Sequence, residues 1–431
     1  MMDTIFALSS GRPPSGVAVV RISGPDAGAA LRALCGSLPA PRHASYVRLD
    51  DPADGTPLDR ALVLFFPGPA SATGEDVAEL HLHGGRAVVA AVLRALGRLP
   101  RLRPAEAGEF TRRAHAGGKL DLAEVEGLAD LIAAETEAQR RQALALASGA
   151  LSRRVGGWRT GLIGILALLE AAIDFSDEGD VAEDVARDAV AGIVALQREL
   201  AEALQDAGRG ERVRDGLVVA IAGPPNAGKS TLLNRLAGRE AAIVSEIPGT
   251  ARDVLEVHLE LAGQAVTLLD TAGLRETADA VEAEGVRRAR ARAEAADLVL
   301  WLSDSAQAPP PALSAAVRVR TKLDRGMEVP PGWLGISAAS GAGMDALLAL
   351  LEAQAEALAG GAPALVSRER QRLALERAAE HLARAGGAFA GHEELRAEEV
   401  RLAVRALDQL IGRVDVEDVL DALFGTFCIG K

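Results

Sequence analysis

The spacing of hydrophobic and polar residues separates an N-terminal stretch with short β-like runs from a helical stretch. Residues 1–118 contain three short apolar runs between turn signals, GVAVVRI, RALVLFF and VAELHLH, and one segment with helical spacing, RAVVAAVLRALGRL. Apolar runs bounded by turn residues are typical of strands. Over residues 119–213, apolar residues recur at i, i+3, i+4 and i+7, which predicts helices.

A second change of pattern begins at residue 214. The apolar run GLVVAIAG opens residues 214–358, in which strand-like and helix-like segments alternate as in parallel-sheet α/β domains. Helical spacing returns over residues 359–431. We therefore predict a multidomain α/β and α protein, in which an α/β domain is inserted between two halves of a helical domain.

Composition and charge narrow the class of protein. The 431 residues are 49% hydrophobic, which is ample for two or three packed cores. The net charge of −13 argues against a nonspecific nucleic-acid coat, because phosphate binding needs clustered positive charge. A local arginine patch that binds RNA is compatible with this charge.

The sequence predicts a cytoplasmic protein without a membrane span. Its start, MMDTIFALSSGRPPSG, lacks the basic and apolar segments of a secretion signal. The longest strongly apolar stretch, GLIGILALLEAAI, is too short for a bilayer and contains Glu170. Cys35 and Cys428, far apart in the sequence, suit a reducing compartment.

The stretch VVAIAGPPNAGKST predicts a phosphate-binding loop. Residues 223–230 read G-x-x-x-x-G-K-S between an apolar strand and the helical segment TLLNRLAG. In this pattern the glycines let backbone N–H groups surround phosphates, Lys229 reaches the β- and γ-phosphates, and Ser230 offers its hydroxyl to Mg²⁺. A ligand-free glycine turn is the alternative, and an ATPase or a kinase would carry the same loop.

Three later motifs favour a guanine nucleotide, and each stands at a predicted strand end: DTAG at 270–273, TKLD at 321–324 and SAAS at 337–340. Asp270 is expected to lie in or next to the coordination shell of the metal ion. The carboxylate of Asp324 can accept hydrogen bonds from the N1–H and the exocyclic amine of guanine, which adenine cannot donate. The residues expected to contact the nucleotide here are Asp270, Thr271, Ala272, Gly273, Thr321, Lys322, Asp324, Ser337 and Ala338.

The order of these motifs resembles that of the translation-factor-like GTPases, with departures. Thr321 stands where asparagine is commoner, and Leu274 stands where Ras-like proteins have a glutamine. The segment AAIVSEIPGTARDV resembles the first switch, in which GTTRD is usual; Thr250 is kept, but Ala251 replaces a threonine that holds Mg²⁺. The acidic run that follows DTAG offers replacements for the glutamine: Glu276, Asp279, Glu282 and Glu284. Their spacing singles out none of them, and solvated helix charges are the alternative.

Asn226 together with this switch resembles the potassium-dependent GTPases, in which K⁺ supplies positive charge beside the phosphates. The resemblance implies potassium ligands at Asn226, Ser245, Ile247 and Thr250. The alternative is that Asn226 only caps the loop. The nucleotide contacts expected in the loop and the switch are Asn226, Ala227, Gly228, Lys229, Ser230, Thr231, Ser245, Glu246, Ile247, Pro248, Gly249, Thr250 and Ala251.

The segment DTAGLRETADAVEAEGVRRA, the flanking helical halves and the ending FCIGK resemble the MnmE (TrmE) family of tRNA-modification GTPases over essentially the whole chain. The resemblance implies that Glu282 positions the attacking water. It also implies a homodimer that forms a heterotetramer with an FAD-dependent, MnmG/GidA-like partner. Together they would install an aminomethyl-type group at C5 of the wobble uridine in certain tRNAs.

The same resemblance implies that the N-terminal domain binds a reduced folate, 5-formyltetrahydrofolate or 5,10-methylenetetrahydrofolate. The implied contacts are Arg21, Glu79, Lys119 and Lys431. A carboxylate suits the aminopyrimidine edge and cations suit the glutamate tail; ordinary surface charges are the alternative for Arg21 and Glu79. His81 and His83 face one side of a strand without a third metal ligand, so we interpret them as structural or ligand-lining.

Lysine is rare in this chain, and all four lysines fall within these motifs: Lys119, Lys229, Lys322 and Lys431. Arginine's planar fork cannot replace a compact ammonium in a tight loop, so each lysine is expected to meet a steric requirement. Cys428 is either a nucleophile or redox thiol, or a small residue that seats the tail.

The predicted domains are 1–118, for folate binding and dimerisation; 119–213, the first helical half; 214–358, the inserted G domain; and 359–431, the second helical half with the CIGK ending. The alternative function, from another class, is a GTP-driven switch or a ribosome-assembly GTPase without modification chemistry.

Overall fold

The computed structural model describes residues 3–174, 179–238, 256–270, 296–359, 363–387, 389, 392–414, 420, 423–425, 427, 429 and 430, without the side chains of 179–183, 358 and 359. The chain divides into two compact units. The first comprises residues 1–129, 152–159 and 404–431, and the second comprises residues 130–151 and 160–403.

The first unit contains a six-stranded sheet within the described residues. Its strands are β1 (Thr4–Leu8), β2 (Ser15–Ser23), β3 (Ser45–Asp50), β4 (Pro57–Phe66), β5 (Val77–Gly84) and β6 (Leu102–Pro104). They lie in the order β3-β4-β5-β2-β1-β6, and neighbours are antiparallel except β1 and β6. The three predicted apolar runs fall in β2, β4 and β5, whereas β1, β3 and β6 were not predicted from the sequence.

One face of this sheet packs against two helices, α1 (Ala27–Cys35) and α2 (Arg86–Gly97). Every second strand residue enters that core, as Ala18, Val20 and Ile22 do on β2. Because side chains alternate along a strand, Arg21 on β2 and Glu79 on β5 lie on the opposite face. The apolar alternation therefore places these charged residues away from the helices.

The described helices that follow are α3 (Glu109–Ala116), α4 (Leu122–Ala133), α5 (Glu137–Ala147), α6 (Ala150–Asp174), α7 (Gly179–Asp215), α8 (Lys229–Ala237), α9 (Met344–Ala359), α10 (Glu369–Gly387) and α11 (Glu393–Leu410). In the first unit, Leu122 and Val125 of α4 pack with Leu423, Phe424 and Phe427 near the chain's end. The start of α5 is fixed by Thr136 and Gln139, whose side chains and backbone N–H groups cap one another.

Helix α6 differs from its sequence-based expectation. The apolar stretch judged too short for a bilayer is part of a 25-residue helix, and this helix is long and apolar enough by length and composition to cross a membrane. One such helix is weak evidence for a span, because the core helix of a soluble protein passes the same test.

The second unit contains the other six-stranded sheet of the described residues. Its strands are β7 (Leu217–Ala222), β8 (Glu256–Leu261), β9 (Gln264–Asp270), β10 (Leu298–Ser303), β11 (Val317–Arg320) and β12 (Leu334–Gly335). They lie in the order β12-β11-β10-β7-β9-β8, and only β8 runs antiparallel to its neighbour. Short 3₁₀ helices lie at Pro311–Leu313 and Leu323–Arg325.

This second sheet is the predicted inserted α/β unit, and the fold class predicted from the sequence is confirmed. Its core joins the strands to α8 and α9 through Leu232, Leu236 and Leu347. From β7 the chain proceeds to β9 on one side and to β10 on the other. Ligands of open α/β sheets bind beyond the carboxyl end of the strand where the order reverses, which here is β7.

Candidate functional sites

The loop after β7 is shaped by residues that accept unusual backbone angles. Gly223 has φ +150°, and a Cβ there would lie 2.1 Å from the carbonyl oxygen of Leu302. Gly228 has φ +93° and precedes α8, while Asn226 is exposed with φ +61°. The glycines of the motif are therefore required by close backbone approach and by the left-handed conformation.

Lys229 opens helix α8, and its ammonium is held by the loop itself. Its Nζ donates to the carbonyl oxygens of Gly223 at 2.8 Å and Pro224 at 2.9 Å, and the residue is only 7% exposed. Burial lowers the pKa of Lys229, and the nearby charge of Asp270 acts in the opposite direction. The side chain is thus fixed at the N-terminus of a helix, where backbone N–H groups favour anions.

Ser230, in the first turn of α8, lies beside Asp270, the last residue of β9. The Ser230 hydroxyl donates to Oδ2 of Asp270 at 3.3 Å, and Asp270 is 2% exposed. Hydroxyl and carboxylate oxygens are the donors that Mg²⁺ prefers, and Mg²⁺ usually keeps several waters. Among the described residues no group of three or more His, Cys, Asp or Glu could hold a metal ion, so this pair would be completed by water and phosphate oxygens.

The TKLD segment is tied directly to the phosphate loop. The hydroxyl of Thr321 donates to the carbonyl oxygen of Ala227 at 2.8 Å, and its backbone N–H donates to Ser303. Threonine at this position, a departure from the commoner asparagine, therefore still makes a buried link between the two motifs. The backbone N–H of Ile336 donates to Arg320, which joins this segment to the SAAS segment.

Asp324 is exposed beside the SAAS segment. The Ser337 hydroxyl donates to Oδ1 of Asp324, and this hydrogen bond is the main cause that lowers the pKa of Asp324. The carboxylate is therefore ionised at neutral pH and accepts hydrogen bonds, as guanine recognition requires. Ser337, expected from the sequence to contact the nucleotide, thus binds Asp324 through its side chain.

One participant was missed in the sequence. Lys322 donates from Nζ to Oδ2 of Asp304 at 2.6 Å, and Lys322 itself has φ +60°. The hydrogen bond to Lys322 is the main cause that lowers the pKa of Asp304. Asp304 directly follows β10, and this position at a strand end of the parallel sheet was the signal that could have identified it.

Several predicted site residues lie outside the described part of the chain. They are Ser245, Glu246, Ile247, Pro248, Gly249, Thr250, Ala251, Thr271, Ala272, Gly273, Glu282, Cys428 and Lys431.

The second cluster lies on the open face of the first sheet. Arg21 and Glu79 are paired across β2 and β5, with Arg21 Nη2 2.9 Å from Glu79 Oε1. His81 Nε2 lies 3.2 Å from Glu79 Oε2, and the guanidinium of Arg21 lies 5.9 Å from the ring centre of Phe110. Burial raises the pKa of Glu79, but the hydrogen bond from His81 and the charge of Arg21 prevail and lower it.

Lys119 follows helix α3 and approaches the loop after β4. Its backbone N–H donates to Ala114, and its Cε lies against Gly74, where an added Cβ would approach to 3.3 Å. This loop is held by Glu75, which accepts from Ser23 at 2.7 Å and from Arg113 at 3.2 Å. The predicted Arg21, Glu79 and Lys119 thus belong to one unit, with Glu75 and Arg113 as supporting residues that the sequence did not single out.

The histidines of HLHGG bind carboxylates in this structure. His83 Nδ1 lies 2.7 Å from Oδ1 of Asp59, and His81 contacts Glu79. Their interpretation as structural or ligand-lining residues agrees with these contacts.

The described end of the chain lies on the first sheet. Ile429 forms a β-bridge with Ala107, and the Ser9 hydroxyl donates to the carbonyl oxygen of Gly430 at 2.7 Å. Gly430 has φ +102°, and a Cβ there would lie 2.0 Å from the carbonyl oxygen of Leu8. Glycine is therefore required at this position for the tail to lie against β1.

Taken together, a parallel sheet with a phosphate loop at its reversal point and a linked TKLD segment define a P-loop GTPase. Family models match the described domains: "MnmE helical domain" over residues 122–428 and "GTP-binding protein TrmE N-terminus" over residues 4–119. The chain belongs to the MnmE family of tRNA modification GTPases.

Individual relatives are similar to this chain over its full length. The tRNA modification GTPase MnmE of Azorhizobium caulinodans is 68% identical, with 100% of this chain and 99% of that protein covered. The protein of the same name from Methylorubrum populi is 58% identical, with coverage of 100% and 98%. The solved G domain of the T. maritima FeoB iron transporter matches 32% of this chain and 99% of its own at 25% identity, with a TM-score of 0.23.

Proposed function

We propose that this protein hydrolyses GTP as part of a tRNA modification reaction. The observation that carries the proposal is the convergence of Lys229, Asp270 and Thr321 on one edge of the second sheet. The protein's relatives are named tRNA modification GTPases over their full length. The geometry supports nucleotide binding, and the family supports the RNA substrate.

In the proposed GTPase site, each group has one task. Lys229 and the N–H groups of the loop bind the phosphates, while Asp324 accepts from the guanine edge. Ser230 and Asp270 offer oxygen donors for Mg²⁺, which when bound neutralises charge on the phosphates. Asn226 is exposed on the loop, in keeping with a role as a K⁺ ligand together with Ser245, Ile247 and Thr250 of the first switch.

Water activation is assigned to Glu282, because Leu274 cannot orient a water molecule. This assignment comes from the family resemblance, and Glu282 lies outside the described residues. The remaining nucleotide contacts predicted from the sequence are part of the same proposal.

A reduced folate, 5-formyltetrahydrofolate or 5,10-methylenetetrahydrofolate, is proposed to bind at the Arg21 cluster, defined here as Arg21, Glu79 and Lys119. Glu79 keeps a lowered pKa, so it is an acceptor for amine donors, and the two cations suit carboxylates. Lys431 would complete the cluster, since Ile429 and Gly430 lie on the same sheet. The folate would supply the carbon that is transferred, and Cys428 stays a candidate for chemistry there.

The proposed assembly is a cytoplasmic homodimer formed through residues 1–118. The open face of the first sheet exposes Val17, Tyr46 and Leu62, which supports an interface because large apolar side chains rarely cluster in water. An FAD-dependent, MnmG/GidA-like partner would complete a heterotetramer. The domain boundaries predicted from the sequence belong to this proposal.

The test measures the modified nucleosides in tRNA from cells whose own MnmE gene is deleted and replaced by the gene for this protein. Lys229→Ala should abolish the modification at C5 of the wobble uridine, and the exposed Arg32→Ala should leave it unchanged. If Lys229→Ala removes GTP hydrolysis but the nucleoside profile is normal, the proposed role in tRNA modification is wrong. A ribosome-assembly switch is then the favoured function.

A further inference from the structure

A large groove lies on the first unit between β1, the loop that follows it, and helix α2. Its volume is about 820 Å³, within the usual range for binding sites. Its apolar lining comes from β1, α2, β6 and the segment before the chain's end: Phe6, Ala7, Leu8, Leu93, Pro104 and Ile429. Its polar lining is provided by Ser10, Arg12 and Arg94. We call it the α2 groove.

The α2 groove is separate from the Arg21 cluster. Ala7, the residue paired with Arg21 across β1 and β2, lines the groove together with Phe6. None of Arg21, Glu79 and Lys119 lines it. The proposed folate site therefore does not account for the groove.

The charge around the groove is positive in a chain with a net charge of −13. Residues 80–105 include five arginines and no aspartate or glutamate. Three of these arginines are paired with acids elsewhere: Arg98 with Asp51, Arg101 with Asp26, and Arg103 with Glu109. Arg12 and Arg94 are exposed and have no acidic partner among the described residues, so two guanidinium groups at the groove are open to an anion.

The groove also adjoins the tail of the chain. Ile429 is 64% exposed and lines the groove, and Gly430 is fixed to Ser9 by a hydrogen bond of 2.7 Å. A large apolar side chain so exposed, beside two unpaired arginines, forms a surface that is apolar in the middle and cationic at the rim. This combination suits a ligand with a flat apolar body and flanking negative charges.

We propose that the α2 groove binds an unpaired nucleotide of the tRNA substrate. The base lies against Leu93 and Ile429, and the guanidinium groups of Arg12 and Arg94 bind the adjacent phosphates. Unpaired RNA bases are recognised where they rest against side chains that replace their stacking neighbours. This inference rests on the proposed function, because it takes RNA as the substrate.

The charge pattern favours RNA over a second copy of this chain as the occupant. An interface between copies would bury Arg12 and Arg94, and a buried guanidinium without a partner is costly. Phosphates satisfy both groups, and arginine matches phosphate geometry through paired N–H donors.

The experiment measures binding of a fluorescent RNA hairpin, an anticodon stem-loop with uridine at the wobble position, to the full chain over a series of salt concentrations. The double variant Arg12→Ala/Arg94→Ala should weaken binding on the order of tenfold. The slope of the logarithm of the binding constant against the logarithm of the salt concentration should become shallower by about 1.4. This is about 0.7 for each single-strand phosphate that the variant no longer neutralises. Ile429→Ser should weaken binding with an unchanged slope, because it removes an apolar surface and no charge.

Arg32→Ala is the matched control, since Arg32 is an exposed arginine on α1 that does not line the groove. It should bind RNA like the wild type, and urea unfolding followed by circular dichroism should show that every variant keeps the wild-type fold, since GTP hydrolysis reports only on the second unit. If the wild type binds RNA and the double variant binds equally well, the groove proposal is overturned and the proposed function stands. If the wild type itself does not bind the hairpin, the groove proposal is overturned and tRNA as substrate fails with it. A double variant that changes the oligomeric state in sedimentation, with RNA binding intact, would assign the groove to contact between copies.

Discussion

The P-loop site and the Arg21 cluster are built in opposite ways. At the P-loop, residues 223–230 are consecutive, and glycine backbone geometry and a helix N-terminus create the site. In the Arg21 cluster, Arg21 of β2 and Glu79 of β5 meet through strand register, and Lys119 after α3 packs against the loop that follows β4. The P-loop site is therefore formed by neighbouring residues and held by the backbone. The Arg21 cluster depends on side-chain pairs whose positions are set by the whole sheet.

The largest effect should come from the local site. Lys229→Ala removes a buried ammonium that is fixed on the loop, and we expect GTP hydrolysis to fall by about 10²- to 10³-fold. The measurement is steady-state phosphate release by the full chain at saturating GTP. Folate binding, measured by calorimetry, should not change, and a parallel loss there would show that the two sites are not independent.

The guanine contact is the next test. Asp324→Asn turns an acceptor into a group that also donates, so GTP affinity should fall by about 10²-fold while xanthosine triphosphate gains affinity. Competition binding with both nucleotides measures this exchange. Unchanged GTP affinity would contradict the role of Asp324, and Arg325→Ala, one residue further along, serves as the neighbouring control.

Changes at the end of the chain test the Arg21 cluster. Gly430→Ala places a methyl group against the carbonyl oxygen of Leu8, so the tail must move, and folate affinity should fall by about tenfold. Deletion of Lys431 should have a similar effect, with GTP binding retained in both variants. Normal folate binding in both would remove the tail from the proposed site. Titration with 5-formyltetrahydrofolate gives the answer.

The smallest effect concerns the Arg21–Glu79 pair itself. It is partly exposed, so Arg21→Ala should change the free energy of unfolding by only about 0–1 kcal/mol. Because the pKa of Glu79 is lowered on folding, the pair stabilises the fold above the ordinary value of 4.5 and loses this contribution as pH falls through the lower, folded-state pKa. Urea unfolding of wild type and Glu79→Gln should differ at pH 7 and converge in acid; a difference that persists in acid would exclude the ion pair as its cause.

The P-loop and the guanine motifs were predictable because the residues that form each motif are consecutive in the sequence. Backbone N–H groups bind phosphate only if glycines stand at particular positions, and the TKLD and SAAS segments follow apolar strands that the pattern reveals. The partner of Lys322 was not predictable in this way, because the pairing with Asp304 joins the ends of two different strands.

Local apolar periodicity and glycine geometry were enough to predict strands β2, β4 and β5, the helical segments, the inserted α/β unit and the phosphate loop. The tertiary structure adds three contacts that no local pattern contains: Thr321 binds the carbonyl of Ala227, Arg21 faces Glu79, and Gly430 lies on β1. It also left Arg12 and Arg94 at an apolar groove without acidic partners among the described residues. Such pairings depend on strand order and register, which local sequence does not encode and the packing of the whole sheet selects.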